Sequence, residues 1–191
     1  MFEKSIRKVI LNQVNNSPRI KYRPATADFF SKSGGQFQFS VGGPNWREPE
    51  VHGADQTSWV EKSGAVFVEA ASPDPDNPGR LNWKNGKIVL ALSDKDIGQI
   101  LYGIRANQSK DELVKILHTN ADKSVIKTFL VKKGQPGTYL LSLSQNKTHN
   151  SSGVDLANRI NVSVYISAPD LLRLTSLLEA ALPTVLGWDK V

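Results

Sequence analysis

Two stretches of this chain, GKIVLALSDKDIGQIL at residues 86–101 and RINVSVYISAPDLLRLTSLL at residues 159–178, repeat one pattern. Each begins with apolar residues at alternate positions, which is typical of a strand with one buried face. Each then reaches a serine, an aspartate three positions later and a run of apolar residues at helical spacing. The chain therefore encodes the same strand-to-helix unit twice.

Each junction between strand and helix is a capping motif. Ser93 and Ser167 precede the helical patterns, where a serine hydroxyl accepts a hydrogen bond from an amide of the first turn, worth about 1 kcal/mol. Asp96 and Asp170 follow three positions later, where the helix dipole favours a carboxylate. The two predicted helices span residues 94–104 and about 168–182.

Alternating patterns elsewhere predict further strands in both halves of the chain. Asn85-Gly86 is a strong signal for a two-residue hairpin between two strands. Ser109 and Glu112 form a capping box, so we predict a short helix over residues 109–119. The additional strands are predicted at residues 37–41, 65–71, 80–83, 125–133 and 138–145.

The order of these elements indicates an α+β fold with two repeated units, each an antiparallel β-sheet followed by a helix (ββββα-ββββα). Strand alternation leaves each sheet with one covered face and one open face. A single domain is predicted over residues 20–191, with repeat one at about 20–105 and repeat two at about 106–191. Residues 42–63 carry few strand or helix signals, so we expect an ordered loop or extension inserted into repeat one.

Length and composition exclude several classes of protein. The chain of 191 residues is long enough to bury a substantial core. It has no apolar run of the roughly 18 residues that a membrane-spanning helix requires. It contains no cysteine, which excludes disulfides and any metal site with a cysteine ligand.

Positive charge is concentrated in a few segments. The formal net charge is +6, and residues 1–24 carry six Lys or Arg side chains against Glu3 alone. We expect residues 1–19 to form a basic N-terminal arm. Residues 80–87 and 123–135 are also basic and contain no acid. Such stripes are what a polyanionic partner requires, although a solvated basic surface has the same composition.

An open sheet face beside basic segments suits an extended single strand of nucleic acid, because bases stack on exposed rings while lysines follow the phosphates. Tyr165 lies on the polar side of its strand. Trp83 is flanked by Arg80 and Lys84, and packing of Trp83 beneath its turn is the alternative to a binding role. Phe129 shares parity with both Val131 and Lys127, so its face is ambiguous, and the core is favoured over the open face. The candidate nucleic-acid-binding residues are Lys21, Tyr22, Arg23, Phe67, Trp83, Lys84, Lys87, Lys127, Lys132, Lys133 and Tyr165.

Three segments resemble the Whirly family of single-stranded DNA-binding proteins. They are LNWKNGKIVLALSDKDIGQIL (81–101), VIKTFLVKKGQPGTYLLSLSQN (125–146) and EAALPTVLGWDKV (179–191). The resemblance implies a repeated four-strand-plus-helix fold, similar to two copies of the unit in p15-type transcriptional coactivators. It also implies a pseudo-twofold binding platform carried by one chain, and it leaves a bacterial or phage origin open.

The residues and the resemblance together predict a sequence-tolerant single-stranded DNA-binding protein. It would act in replication, recombination, repair or transcription, with no cofactor, no metal and no membrane, as a homo-oligomer of two or four chains. An RNA-binding or RNA-annealing protein of the same fold is the alternative. A metal-dependent nuclease is less favoured, because Asp74 and Asp76 belong to a proline turn, Asp96 belongs to a helix cap, and the three histidines lack ligand spacing. We expect a DNA-containing compartment inside the cell, with bacterial or virus-infected cytoplasm favoured over nucleus or organelle.

Overall fold

A computed structural model describes residues 26–30, 35–47, 59–77, 79–147 and 159–188. The predicted arm at residues 1–19 and the candidates Lys21, Tyr22 and Arg23 lie outside the described residues, so the division into arm and domain stays a prediction. In chain order the elements are β1 (Thr26–Phe30), β2 (Gln36–Gly42), β3 (Asn45–Arg47), β4 (Trp59–Lys62), β5 (Ala65–Ala71), β6 (Lys87–Leu92), α1 (Asp94–Ala106), β7 (Glu112–Thr119), β8 (Val125–Lys133), β9 (Thr138–Lys147), β10 (Ile160–Ser167) and α2 (Ala168–Leu186).

The strands form two four-stranded antiparallel sheets, one in each repeat. Sheet one has the order β1-β2-β5-β6, and sheet two has the order β7-β8-β9-β10. Helix α1 follows sheet one and helix α2 follows sheet two, which confirms the predicted ββββα-ββββα arrangement. Strands β3 and β4 pair with each other, so the described ends of the insertion at 42–63 form a β-ribbon that extends the β2–β5 hairpin.

The inner faces of the two sheets share one hydrophobic core with the helices. Phe39 of β2 and Phe129 of β8 meet edge to face inside it, with ring centroids 6.3 Å apart. Both rings are fully buried, so the core, which the sequence favoured for Phe129 over the open face, is where this ring lies. Leu174 and Leu178 of α2 are fully buried in the same core. The apolar stripe of α2 therefore packs inside the protomer.

Both predicted helix caps are present. Ser93 Oγ accepts a hydrogen bond from the Asp96 amide, and the carboxylate of Asp96 accepts one from the Ser93 amide. The second serine–aspartate pair repeats this reciprocal arrangement at the start of α2. Helix α2 continues through Pro183, beyond its predicted end. It stops at Gly187, whose φ of 77° is left-handed and is accessible to glycine without a Cβ clash.

The segment predicted as a short helix at residues 109–119 forms strand β7 instead. Val114 and Ile116 face the core while the residue between them faces solvent, which is the alternation of a strand. A register shift between Glu112 and Val114 allows Leu113 to be buried as well. The local capping signal is outweighed because pairing with β8 completes sheet two.

The connection from β5 to β6 also differs from the prediction. A single bridge from Pro73 to Leu81 is the only strand pairing in the described part of this connection, so the predicted strand at 80–83 is wrong. The Asn-Gly pair does not form a hairpin tip. The Gly86 amide instead donates to Asn82 O at 2.9 Å, which closes an i→i+4 turn.

Two glycines of α1 provide a matched test of how closely this helix packs on β7. A Cβ at Gly103 would lie 2.6 Å from Leu113 O and 2.9 Å from Val114 Cγ2, whereas a Cβ at Gly98 would meet no atom within 4 Å. We expect Gly103→Ala to lower the free energy of unfolding by roughly 1–3 kcal/mol through overpacking. We expect Gly98→Ala to raise it by about 0.5–1 kcal/mol, because alanine favours the helix.

Urea unfolding followed by circular dichroism measures both changes. The two substitutions add the same methyl group to the same helix, so helix propensity is common to both and cancels in the comparison. Equal effects at the two positions would contradict the close approach of α1 to β7.

Candidate nucleic-acid interface

Each sheet has an outer face, opposite the core, on which side chains from neighbouring strands form cross-strand rows. Ala91 of β6 and Tyr165 of β10 each lie two positions before a capping serine, so the rows that contain them correspond in the two repeats. In sheet one this row is Thr26, Ser40, Phe67 and Ala91. In sheet two it is Glu112, Lys132, Leu140 and Tyr165.

Large apolar side chains are exposed at related positions on both outer faces. Phe67 is 38% exposed and Tyr165 is 58% exposed, and they lie in the corresponding rows just described. Phe30 of β1 is 69% exposed and Leu117 of β7 is 56% exposed. Phe30 and Leu117 occupy corresponding positions on the edge strands β1 and β7. Each lies two outer-face rows away from the row that contains Phe67 or Tyr165. Both repeats therefore carry exposed apolar side chains at two related places on their outer faces.

Each exposed aromatic ring of these rows lies close to a glycine. A Cβ at Gly42 would lie 2.7 Å from Cε2 of Phe67. A Cβ at Gly134 would lie 3.3 Å from Cε1 of Tyr165. Because glycine has no side chain, main chain packs beside both rings and supports them on the outer face.

The two outer faces differ in charge. Asp28 and Glu69 share one row of sheet one. The corresponding row of sheet two contains Lys115, and the row beside it contains Lys132 with one acid, Glu112. Lys132 makes no hydrogen bond or ion pair with the residues that the structure describes. Phosphate groups are therefore attracted more strongly by the outer face of sheet two.

Three of the predicted lysines are engaged within the protein. Lys87 forms an ion pair at 3.2 Å with a glutamate of β5. Lys127 Nζ donates to Val89 O at 2.6 Å, and Lys133 Nζ donates to Gln108 O. Lys127 and Lys133 have the parity of the inner face, so they extend from opposite ends of β8 and hold neighbouring elements. They do not join Lys132 on the outer face.

The remaining described candidates lie in two places. The structure places Phe67 on the outer face of sheet one, and Tyr165 and Lys132 on that of sheet two. Trp83 is half-buried and Lys84 is exposed in the turn before β6, beyond the last row of sheet one. This turn lies apart from the exposed apolar side chains that the two outer faces share.

Sequence reasoning missed four residues of the outer faces. Phe30 lies on β1, which was not recognised because the segment TADFF shows no clear alternation. Lys115 and Leu117 lie on β7, which was assigned to a helix. Leu140 lies between Lys132 and Tyr165. The sequence signal that could have revealed Lys115 and Leu117 is their alternation with the apolar residues Val114 and Ile116.

Asp96 connects the cap of α1 to β7, an edge strand of sheet two. Its Oδ2 accepts hydrogen bonds from the amide and the hydroxyl of Ser93, each at 2.8 Å, and lies 3.1 Å from His118 Nε2. Burial opposes ionisation of this carboxylate, but the hydrogen bonds from Ser93 and His118 outweigh burial. They hold the pKa of Asp96 below its usual value of 3.8.

Several aspartates of the described segments are used in turns and caps. Asp74 accepts hydrogen bonds from the side chain of Asn77 and the amide of Asp76, and these lower its pKa. Across the described segments, no three histidine or acidic side chains are grouped so that they could hold a metal ion. In the same segments, neither helix has the length and hydrophobicity needed to cross a lipid bilayer.

Comparison with solved structures identifies the fold. The chain is similar to WHY3 from Arabidopsis thaliana, with a TM-score of 0.67 and 19% identity over 91% of this chain and 94% of WHY3. WHY1 from Arabidopsis thaliana gives a TM-score of 0.68 and 17% identity over 91% of this chain and 90% of WHY1. The plant transcriptional regulator PBF-2 gives 0.67 and 19% over 91% of this chain and 87% of PBF-2.

These proteins define a Whirly fold, and the protein has that fold, as its sequence motifs predicted. No protein-family model and no curated protein sequence matches the chain. The similarity is therefore one of fold.

Replacement of Asp96 tests the electrostatic contribution of the α1 cap. Because its pKa is lowered on folding, the stabilisation is fully present above pH 3.8 and is lost as the pH falls through the lower folded pKa. We expect Asp96→Asn to lower the free energy of unfolding at pH 7 by about 1 kcal/mol. The loss of stability in acid should then be shallower in the variant than in the wild type.

Asp94→Asn is the matched control, because it removes a carboxylate from the same helical turn without removing the hydrogen bonds to Ser93. Thermal unfolding between pH 7 and pH 2 measures all three proteins. Parallel pH profiles for Asp96→Asn and the wild type would refute this role of the carboxylate.

Proposed function

We propose that the protein is a sequence-tolerant single-stranded DNA-binding protein that acts in replication, recombination, repair or transcription. The observation that carries this proposal is the outer face of sheet two. There, exposed Tyr165 and Leu117 lie on the same surface as Lys115 and Lys132. Rings and apolar side chains that stack on bases, beside lysines that follow the backbone, are the two parts of a single-strand site.

A single strand fits this surface better than a duplex does. In a duplex the faces of the bases are stacked on one another and are unavailable to Tyr165. In a single strand every base offers a face, and stacking is worth roughly 1–3 kcal/mol per base. Stacking and phosphate contacts carry little sequence information, which supports tolerance of sequence.

The fold is consistent with this proposal. PBF-2 is a plant transcriptional regulator, which supports transcription as one of the processes this chain serves. We propose a binding role without catalysis, in a DNA-containing compartment of a bacterial or virus-infected cell, with nucleus or organelle as the alternatives. RNA is the alternative ligand, because stacking and phosphate contacts are common to both nucleic acids.

Salt dependence distinguishes lysines that contact phosphate from lysines that hold the fold. Each phosphate contact on a single strand contributes a slope of about −0.7 in a plot of log affinity against log salt. We expect the double variant Lys115→Ala/Lys132→Ala to make this slope shallower by about 1.4. Lys133→Ala should leave the slope unchanged, because the Lys133 ammonium is bound to Gln108 O.

Fluorescence anisotropy with a labelled oligothymidylate between 50 and 300 mM salt, about the range over which such contacts are resolved, gives the slopes. Blunt duplex and RNA of matched length serve as competitors. Equal affinity for duplex and single strand would remove the proposed function. Tighter binding of RNA than of DNA would identify RNA as the ligand.

We also propose that the protein is a homo-oligomer of two or four chains. The internal repeat supplies a pseudo-twofold that isologous contacts can extend. Tyr102 of α1 and Leu172 of α2 are exposed on the helical side, away from the outer faces. An interface there would leave both outer faces accessible to nucleic acid.

Light scattering at micromolar concentration measures the assembly state. We expect a mass of two or four chains for the wild type, and dissociation of the Tyr102→Glu/Leu172→Glu variant with its circular dichroism spectrum retained. The mass of a single chain for the wild type would contradict the proposal.

A further inference from the structure

A cavity of about 400 Å³ opens where the free edge of β6 meets the end of sheet two. A volume of this size falls within the range of small-ligand sites, roughly 300–1,000 Å³. Its walls combine apolar groups such as Val89 and Val125 with polar ones. The stacking surface of sheet two lies on the opposite side of the same strands, so the cavity is a separate feature.

The floor of the cavity is a polar row across three strands. His118 of β7, Lys127 of β8 and Gln145 of β9 are neighbours in register and all line the cavity. His118 is engaged by Asp96, and Lys127 holds a carbonyl oxygen of β6. The carboxamide of Gln145 makes no hydrogen bond with the residues that the structure describes. It is therefore available to a ligand.

One wall of the cavity is the edge of β6, the last strand of sheet one, and no described strand pairs with this edge. Because β5 occupies the other side of β6, Lys127 reaches Val89 O only from this free edge. The N–H and C=O groups of alternate residues in an antiparallel edge strand point to the same side. Ala91 therefore presents its N–H donor and its C=O acceptor toward the cavity. No described residue bonds either group on this side.

We infer that this cavity is a slot for one nucleobase, held by its Watson–Crick edge against the main chain of Ala91 and the carboxamide of Gln145. The apolar side chains Val89 and Val125 suit the faces of a planar heterocycle. An isolated phosphate or metal ion would make no use of them. This inference rests on the proposed function, because the base belongs to the bound single strand.

The chemistry of the slot agrees with tolerance of sequence. Each of the four bases has a hydrogen-bond donor beside an acceptor on its Watson–Crick edge. For thymine the Ala91 N–H donates to O4 and the Gln145 oxygen accepts from N3–H; for a base with the opposite order, the Ala91 C=O accepts and the Gln145 nitrogen donates. The slot therefore requires an unpaired base without selecting which base it is. A base in a duplex cannot enter, because its Watson–Crick edge is already used.

The test combines protein variants with a modified oligonucleotide. Gln145→Leu removes the carboxamide at nearly constant size. Ala91→Pro removes the N–H at an edge where proline is tolerated, with folding checked by circular dichroism. Gln99→Leu, on the exposed side of α1, is the control for the same chemical change. The modified oligothymidylate carries N3-methylthymidine, which blocks the donor of the Watson–Crick edge and leaves the phosphates intact.

We expect Gln145→Leu and Ala91→Pro each to weaken binding of oligothymidylate by roughly threefold to tenfold, the effect of one lost hydrogen bond. Their salt slopes should equal that of the wild type, because no phosphate contact is lost. Methylation at N3 should weaken the wild type and Gln99→Leu. It should cause little further loss in Gln145→Leu, as expected for groups that interact directly.

Unchanged affinity of Gln145→Leu for the unmodified strand would overturn the slot while leaving single-strand binding in place. Equal loss on methylation in the wild type and in Gln145→Leu would overturn it as well. A wild type that binds no single-stranded nucleic acid would overturn the slot together with the proposed function.

Discussion

The edge-to-face contact between Phe39 and Phe129 connects the two repeats, because each ring belongs to the inner face of a different sheet. Both inner faces must remain apolar to share one core. Strand alternation then sends every second side chain to an outer face. The helices close the core from the side, and their serine–aspartate caps begin at the end of the last strand in each repeat. Two accessible outer faces follow from this single constraint.

The repeats have remained alike where the core constrains them and have diverged where it does not. The row with Phe67 and Ala91 in sheet one corresponds to the row with Leu140 and Tyr165 in sheet two. Each row contains one aromatic ring, but the ring lies on β5 in sheet one and on β10, which corresponds to β6, in sheet two. Charge has diverged further, since sheet two carries Lys115 where sheet one carries Asp28. Outer positions can change in this way because packing does not restrict their shape.

The lysines of β8 show how one basic stretch of sequence is divided between the two faces of a sheet. Lys132 has outer-face parity and lies opposite Glu112 and Leu140. Lys133 and Lys127 have inner-face parity at opposite ends of the strand, so each reaches a carbonyl oxygen of another element. The hydrogen bond from Lys127 places the edge of β6 over the floor that contains Gln145, and the cavity results from that approach. Lysines that hold the fold and a lysine of the outer face thus lie on a single strand.

The sequence by itself determined the two-repeat plan and both helix caps, because periodicity and capping are local properties. The same local rules assigned β7 to a helix, and they missed Lys115 and Leu117 with it. They also placed Lys127 beside Lys132 in one basic stripe. Only the tertiary structure decided these points, because pairing with a distant strand outweighs a local cap. The partner of a lysine depends on which element lies across from it in space.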